Sequence, residues 1–251
     1  MKHWMILAAG LTLALPAHAF DWGELLKSMS TKPATQTTGS SGSSVDALSD
    51  AEVNAGLKEA LTRGADAAVT QLGRKDGFFG NPQLKIPLPP TLQKAEKAMR
   101  MLGMGQQADD LVLSMNRAAE AAVPEAKTLL VGAVKEMTLE DAKGILTGGQ
   151  TSATDFFRRK TEAKLAERFT PIVKTHTDRV GLAQQYNRYA DIATQFNLID
   201  KSQANVENYV TQQALDRLYT VIGEKEAAIR ANPVQAGSEL LKKVFGAVTG
   251  K

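Results

Sequence analysis

From residue 50 onward, apolar residues recur at every third and fourth position, broken only by Gly, Pro and short polar intervals. That period is the signature of amphipathic helices. Ser49 and Glu52 have capping-box spacing and predict a helix carrying Val53, Leu57, Leu61, Ala65, Ala68 and Leu72 on one face, ended by Gly73. Residues 74–90 interrupt the pattern: Gly77, Gly80 and four prolines forbid a continuous helix, while Phe78, Phe79, Leu84, Ile86 and Leu88 still require burial. A helix from about Thr91 follows, with Leu92, Ala95, Met99 and Leu102 on one stripe, and it stops at Gly103 and Gly105. Residues 106–137 read as a longer Ala-rich helical stretch that Pro124 kinks or restarts.

The second half keeps the same period. Thr138 and Asp141 cap a short helix with Leu139, Ala142, Ile145 and Leu146, which runs into Gly148 and Gly149. A central helix is predicted from Ser152 to about Phe169, and Pro171 starts or kinks the next, which holds Val173, His176, Val180 and Ala183. Asn197 and Asp200 mark a break. The helix of residues 203–230 then repeats Val206, Val210, Ala214, Leu218 and Ile229 until Asn232 and Pro233, and residues 238–245 close the series as a short amphipathic helix with Leu240, Leu241, Val244 and Phe245. Its Lys242 and Lys243 suit an anionic membrane surface, but docking of its apolar face on the body is the better reading for so short a segment. With no strand alternation and no fixed-length repeat, the fold class is all-α, an irregular multi-helix bundle built as one compact domain or two closely packed helical lobes.

Ahead of the helices the pattern changes character. Lys2 and His3 precede an apolar run too short to span a bilayer, and Ala17-His18-Ala19 fits a signal-peptidase site. Residues 1–19 are therefore expected to be a signal peptide cleaved after Ala19, which places the protein in the periplasm. Residues 20–47 comprise a short amphipathic piece with Phe20, Trp22 and Leu25, then a Ser/Thr/Gly-rich linker, leaving residues 48–248 as the all-α domain. The amphipathic piece reads either as a tethered docking peptide or as a frayed terminus. No later stretch is long and apolar enough for a transmembrane segment.

Composition narrows the chemistry. The 251 residues contain no Cys, so neither disulfides nor a lipidated cysteine is available. Thirty Lys and Arg against twenty-seven Asp and Glu give a formal net charge of +3, mixed along the chain, which speaks against a nucleic-acid partner. Of three His, His3 and His18 lie in the leader and only His176 remains. Zinc-protease, Ser–His–acid, nucleotide-loop and di-iron templates all fail at the level of residue type. His176, on an apparent apolar stripe, is expected to be a satisfied core or edge residue. The carboxylate pairs Asp109/Asp110, Glu140/Asp141 and Glu224/Glu226 read as solvated helix faces, and Glu226 with Arg230 as ordinary i,i+4 support.

Two stretches retain candidate binding residues. Phe78, Phe79, Asn81 and Ile86, with the proline-rich arm at residues 86–90, would suit a groove for an acyl chain or extended peptide, although packing across the core fits such apolar loop residues better. Gly148 and Gly149 followed by Thr151, Ser152, Arg158 and Arg159 offer a helix start with a basic cluster, able to hold phosphate or carboxylate. Asp155 provides a local carboxylate for that helix start and for both arginines, so a structural joint is the better reading.

The blocks KDGFFGNPQLKIPLPPTL, MNRAAEAAVPEAK, ILTGGQTSATDFFRRKT, RFTPIV, ALDRLYTVIGEKEAAIRANP and LLKKVFG, in this order, closely resemble the bacterial domain-of-unknown-function 4197 family from about Leu48 to Gly246. Arg217 and Ala236-Gly237 depart from the family's pattern. The resemblance implies an exported, mostly helical protein and no assigned activity. The combined expectation is a non-catalytic periplasmic binding protein, with no cofactor and no metal, acting on an envelope protein or lipid. The alternatives are a carrier of an apolar or acyl ligand and, third, an enzyme of unrecognised type.

Overall fold

The computed structural model describes residues 50–195 and 205–232. The expected signal peptide, linker, Ser49 cap and helix at residues 238–245 lie outside these. Eight α-helices follow in order among the described residues: α1 (Asp50–Gly73), α2 (Pro90–Met101), α3 (Gly105–Ala122), α4 (Ala126–Lys135), α5 (Leu139–Thr147), α6 (Ser152–Thr177), α7 (Gly181–Gln195) and α8 (Val206–Ala231). A 3-10 turn, Val123–Glu125, joins α3 to α4 at the predicted Pro124 break. The architecture is all-α, and no strand occurs among the described residues.

α6 is the axis of the bundle. It packs most extensively on α8 and α3 and also touches α4 and α5. Its sequence is apolar on more than one face, as a helix enclosed by neighbours requires: Phe156, Phe157, Leu165, Phe169 and Val173 are all fully buried. Each such side chain contributes about 1.5–3 kcal/mol through removal from water. α3 approaches α6 closely because Ala108, Ala118, Ala119 and Ala122 present little bulk, and all four are buried. α1 crosses α4 and α8 through the predicted stripe of Leu57, Leu61, Ala65, Ala68 and Leu72. One apolar core takes residues from every helix.

Two sequence readings need correction. α6 passes through Pro171 without a break and ends only at Thr177. The proline removes one N–H from the helix ladder, but Phe169 and Val173 on either side are both fully buried, so no new helix starts there. His176 is exposed rather than packed on the apolar stripe. The helix ends one residue later, so the inward position of that last turn belongs to Thr177, which is buried.

α2 stands apart from this arrangement. It starts with Pro90 at its first turn, packs chiefly on α3, and buries only Met99. Its end is a Schellman motif: the Met104 N–H donates to the Met99 carbonyl at 2.8 Å and the Gly103 N–H to the Arg100 carbonyl at 3.2 Å. Gly103 takes φ +78°, the left-handed conformation this motif needs.

Candidate functional site

The α5–α6 joint is built as the sequence suggests up to Gly148. Thr138 and Asp141 form a reciprocal capping box, with the Asp141 N–H donating to the Thr138 hydroxyl at 3.1 Å. At the start of α6 the local cap fails. Thr151 makes no side-chain cap and instead donates its hydroxyl to Asp155 at 3.0 Å, on the exposed side. The free amides of Ala153 and Thr154 donate to the carboxylate of Glu226, each at 2.9 Å, from the far end of α8. The Thr154 hydroxyl adds a third bond at 2.7 Å, and Arg230 closes the group with Nη2 at 2.8 Å from Glu226 Oε1. The same Nη2 donates to Ser152 Oγ at 2.6 Å and to the Ile145 carbonyl at 2.9 Å.

The helix start therefore does receive an anion, supplied by the protein itself. Glu226 is buried, not on a solvated face, and its pairing with Arg230 is part of an interior network rather than surface support. Of the four residues proposed for an anion site, only Ser152 joins this network. Thr151 is exposed. Arg158 turns to Glu162 at 3.0 Å and Asp216 at 3.4 Å, with its guanidinium 4.5 Å from the Tyr219 ring centre, and Arg159 is exposed. Neither oxygen of Glu226 is left without donors, so the group is committed to holding α5, α6 and α8 together.

The loop at residues 74–90 is fastened by α3 in a comparable way. Glu120 Oε1 accepts the amides of Phe78 and Phe79, each at 3.1 Å, while Arg117 bridges Glu120 at 2.6 Å and Asp76 at 2.7 Å. The hydrogen bond to Glu120 and then that to Asp76 hold the Arg117 guanidinium above its ordinary value. One turn earlier, Asn116 pairs with both sides of Ile86, accepting its N–H at 2.8 Å and donating to its carbonyl at 2.9 Å. Tyr209 and Arg217 of α8 reach the same arm, donating to the carbonyls of Pro87 at 3.2 Å and Lys85 at 3.2 Å. A Cβ at Gly77 would collide with the backbone carbonyls of Gln71 and Leu72, so the turn into this loop admits only glycine.

The loop candidates divide accordingly. Phe78 and Ile86 are fully buried core residues and form no open wall. Phe79 is half-buried, with Lys85 Nζ 4.3 Å and Arg117 Cζ 5.6 Å from its ring centre. Asn81 accepts from the Gln83 amide at 3.0 Å and shapes the turn.

A third polar joint lies where α6, α7 and α8 meet. Glu207 is buried and accepts from Thr177 Oγ1 at 3.2 Å and from Asn187 Nδ2 at 3.0 Å, while Asn187 Oδ1 takes the Val206 amide at 2.8 Å. His176 contributes its main-chain carbonyl, to Ser114 Oγ at 2.8 Å. Among the described residues no cluster of three or more His, Cys, Asp or Glu is placed to hold a metal ion. No described helix is long and apolar enough to cross a membrane.

What the sequence reading missed is the tip of α2. Met101 and Leu102, 74% and 77% exposed, stand side by side at its end, where the Schellman turn directs the chain back into α3. Three charged residues beside them are mutually paired: Arg100 bonds Asp109 at 2.7 Å and Glu96 at 2.8 Å. The Arg100 hydrogen bond keeps the Asp109 carboxyl below its usual value. An open depression of about 560 Å³ lined by Gln93, Glu96, Lys97, Arg100 and Met101 flanks the tip. Its signal in the sequence was the weak stripe of α2, in which Leu102 falls after the last helical residue.

The family model described as a protein of unknown function, DUF4197, matches residues 47–246. The chain belongs to the DUF4197 family. No curated protein and no solved structure matches it. The DUF4197 match takes in all eight helices, so the three buried joints and the α2 tip all lie within the family domain.

Proposed function

We propose that this DUF4197 protein is a non-catalytic, exported binding protein that acts on a component of the cell envelope through the α2 tip. The observation that carries the reading is the pair Met101 and Leu102, large apolar side chains left in water on a helix whose one buried residue is Met99. A side-by-side apolar pair whose neighbour Arg100 is already paired with Glu96 and Asp109 favours contact with an apolar recess of a partner. Methionine suits such a contact because it adapts its shape. The buried Glu120, Glu207 and Glu226 are bonded to the fold's own amides and side chains, which argues against a role for them in catalysis. Full burial of Phe78 and Ile86 argues against the ligand-carrier alternative.

The test is site-specific photocrosslinking in exporting cells, with the photoreactive residue at Leu102 and, as control, at the exposed Asp155. A discrete protein adduct from position 102 alone, lost in a Met101→Ser/Leu102→Ser variant that folds normally, is the expected result. Equal adducts from both positions, or none from either, would overturn the reading. Stoichiometric lipid on the purified protein in native mass spectrometry would instead favour a carrier.

A further inference from the structure

The chain is fixed firmly on either side of α2 and lightly along it. Before the helix, Leu84, Ile86 and Leu88 are buried, Asn116 pairs with Ile86, and Tyr209 donates to the carbonyls of Pro87 at 3.2 Å and Leu88 at 3.3 Å. After it, Ala108 and Leu111 of α3 are fully buried. Between these anchors nine of the twelve residues of α2 are exposed, and only Met99 is buried. Side-chain links to other helices come from its two ends. Thr91 is hydrogen-bonded to Tyr186 of α7, and Arg100 donates to the Asp109 carboxylate of α3 with Nη2 at 2.7 Å and Nη1 at 3.3 Å. Arg100 and Asp109 both stand about half in water, which makes their link a weak fastening.

The ends of α2 suit a pivot. Pro89 precedes it at φ −51° and ψ 144° and provides no side-chain cap, and neither Pro89 nor Pro90 has an N–H to bond to the preceding chain. At the other end the turn through Gly103, at φ +78°, bonds back to Met99 and Arg100 of α2 itself and so does not need α3. Elements with few buried apolar contacts open at lower cost than the body they lie on. Leu92, Ala95, Met99 and Leu102 share one stripe of α2, of which Leu92 is half-buried and Met99 buried while Leu102 is exposed.

We infer that α2 is a releasable strap: it lifts from α3 as one unit between Pro89 and Gly103 while the rest of the described domain stays folded, and it bares Leu92 and Met99 in line with Leu102. Closed, α2 shows only Met101 and Leu102 as large exposed apolar groups. Released, it offers an apolar stripe of the kind that a groove accepts from an amphipathic helix. The inference concerns how α2 is held, and it stands or falls separately from any contact that Met101 and Leu102 make in the closed form.

The test uses the full chain, whose lack of cysteine makes an introduced thiol the only one. Met99→Cys should react with a soluble aromatic disulfide reagent about 100-fold faster than Met115→Cys in the fully buried middle of α3, at a rate unchanged by urea below the unfolding transition. Adding Asp109→Asn should speed the reaction of Met99→Cys by about two- to five-fold, the worth of an exposed ion pair, whereas Asp155→Asn should leave it unchanged. Hydrogen exchange gives a second reading without any substitution, because a released helix of this length is marginal in water and unwinds. The amides of residues 94–101 should exchange through one common opening, insensitive to low urea and about 100-fold ahead of the amides of Phe157 to Thr170 in α6. Modification of Met99→Cys at the rate of Met115→Cys, or exchange graded from the ends of α2 toward a centre as slow as α6, overturns the inference.

Discussion

The Glu226 cap offers the sharpest test of how this fold is held. Glu226→Ala removes the acceptor for two helix-start amides and one hydroxyl and leaves the half-buried Arg230 beside Ser152 without its carboxylate. Breaking a buried ion pair by deleting one partner costs about 3–5 kcal/mol, a large share of the roughly 5–15 kcal/mol available to a domain. For a domain of this size each kcal/mol moves Tm by about 2–4 °C, so the loss should be on the order of 10 °C. Glu226→Gln keeps the shape but turns one acceptor into a donor facing other donors, and should cost about 2–3 kcal/mol.

Asp155 is the discriminating control, because local spacing alone makes it the carboxylate of the α6 start. It is exposed and bonds Thr151, not the amides of Ala153 or Thr154. Asp155→Asn should therefore lose only about 0.3–1 kcal/mol, the worth of a charge near a helix terminus. Urea unfolding of the three variants beside the parent protein measures all of this. If Asp155→Asn proves as damaging as Glu226→Ala, or if Glu226→Ala loses less than about 1 kcal/mol, the assignment of Glu226 as the cap is wrong.

Three further outcomes are expected. Asn116→Ala strands the N–H and carbonyl of Ile86 in the interior and should lower stability by about 2–4 kcal/mol in urea, since each buried unpaired group costs about 1–3 kcal/mol. Gly77→Ala should destabilise by about 2 kcal/mol or more through collision with the Leu72 carbonyl, whereas Gly132→Ala, with open space around it inside α4, should gain about 0.5–1 kcal/mol in thermal unfolding. Burial pushes the Tyr219 hydroxyl up to about 12 from 10.0, against a smaller opposing effect of its bond to Thr161. The unfolded chain loses that proton first, so stability is complete below pH 10, falls between pH 10 and 12 by about 2–3 kcal/mol, and phenolate absorbance should show a tyrosine ionising at about 12 that Tyr219→Phe removes.

The helices were legible in the sequence because their signals are local. The Leu57 to Leu72 stripe, the Thr138 box, the glycine stop at Gly103 and the restart at Pro124 each involve residues within a few turns of one another. The joints were not legible, because their partners are remote in sequence. Phe78 and Glu120 stand 42 residues apart and Ala153 and Glu226 stand 73 apart, and no local spacing announces either pairing. A faint signal did exist in α3, where Asn116 and Glu120 interrupt an alanine-rich stripe at i and i+4, as polar residues do when they are meant to be buried with a partner. Pro171 and His176 misled for one shared reason. Each depends on where a helix ends: α6 runs past the proline as Phe169 and Val173 stay buried, and it stops at Thr177, short of the Val180 to which the His176 stripe was extended.

These joints also explain how a chain without disulfides ties distant segments together. Glu120 fastens a loop to α3, Glu226 fastens the start of α6 to the end of α8, and Glu207 fastens the end of α6 and the middle of α7 to the start of α8. In each case a buried carboxylate receives donors from another element, two of them backbone amides for Glu120 and for Glu226, an arrangement that only one register of the helices can satisfy. Apolar packing around α6 would tolerate a helix sliding by a turn far better than these bonds would, because a displaced carboxylate stays buried and unpaired. The carboxylates thus select the arrangement that the apolar residues merely favour. All three carboxylates are thus engaged within the fold, and among the described residues Met101 and Leu102 are the most exposed large apolar groups.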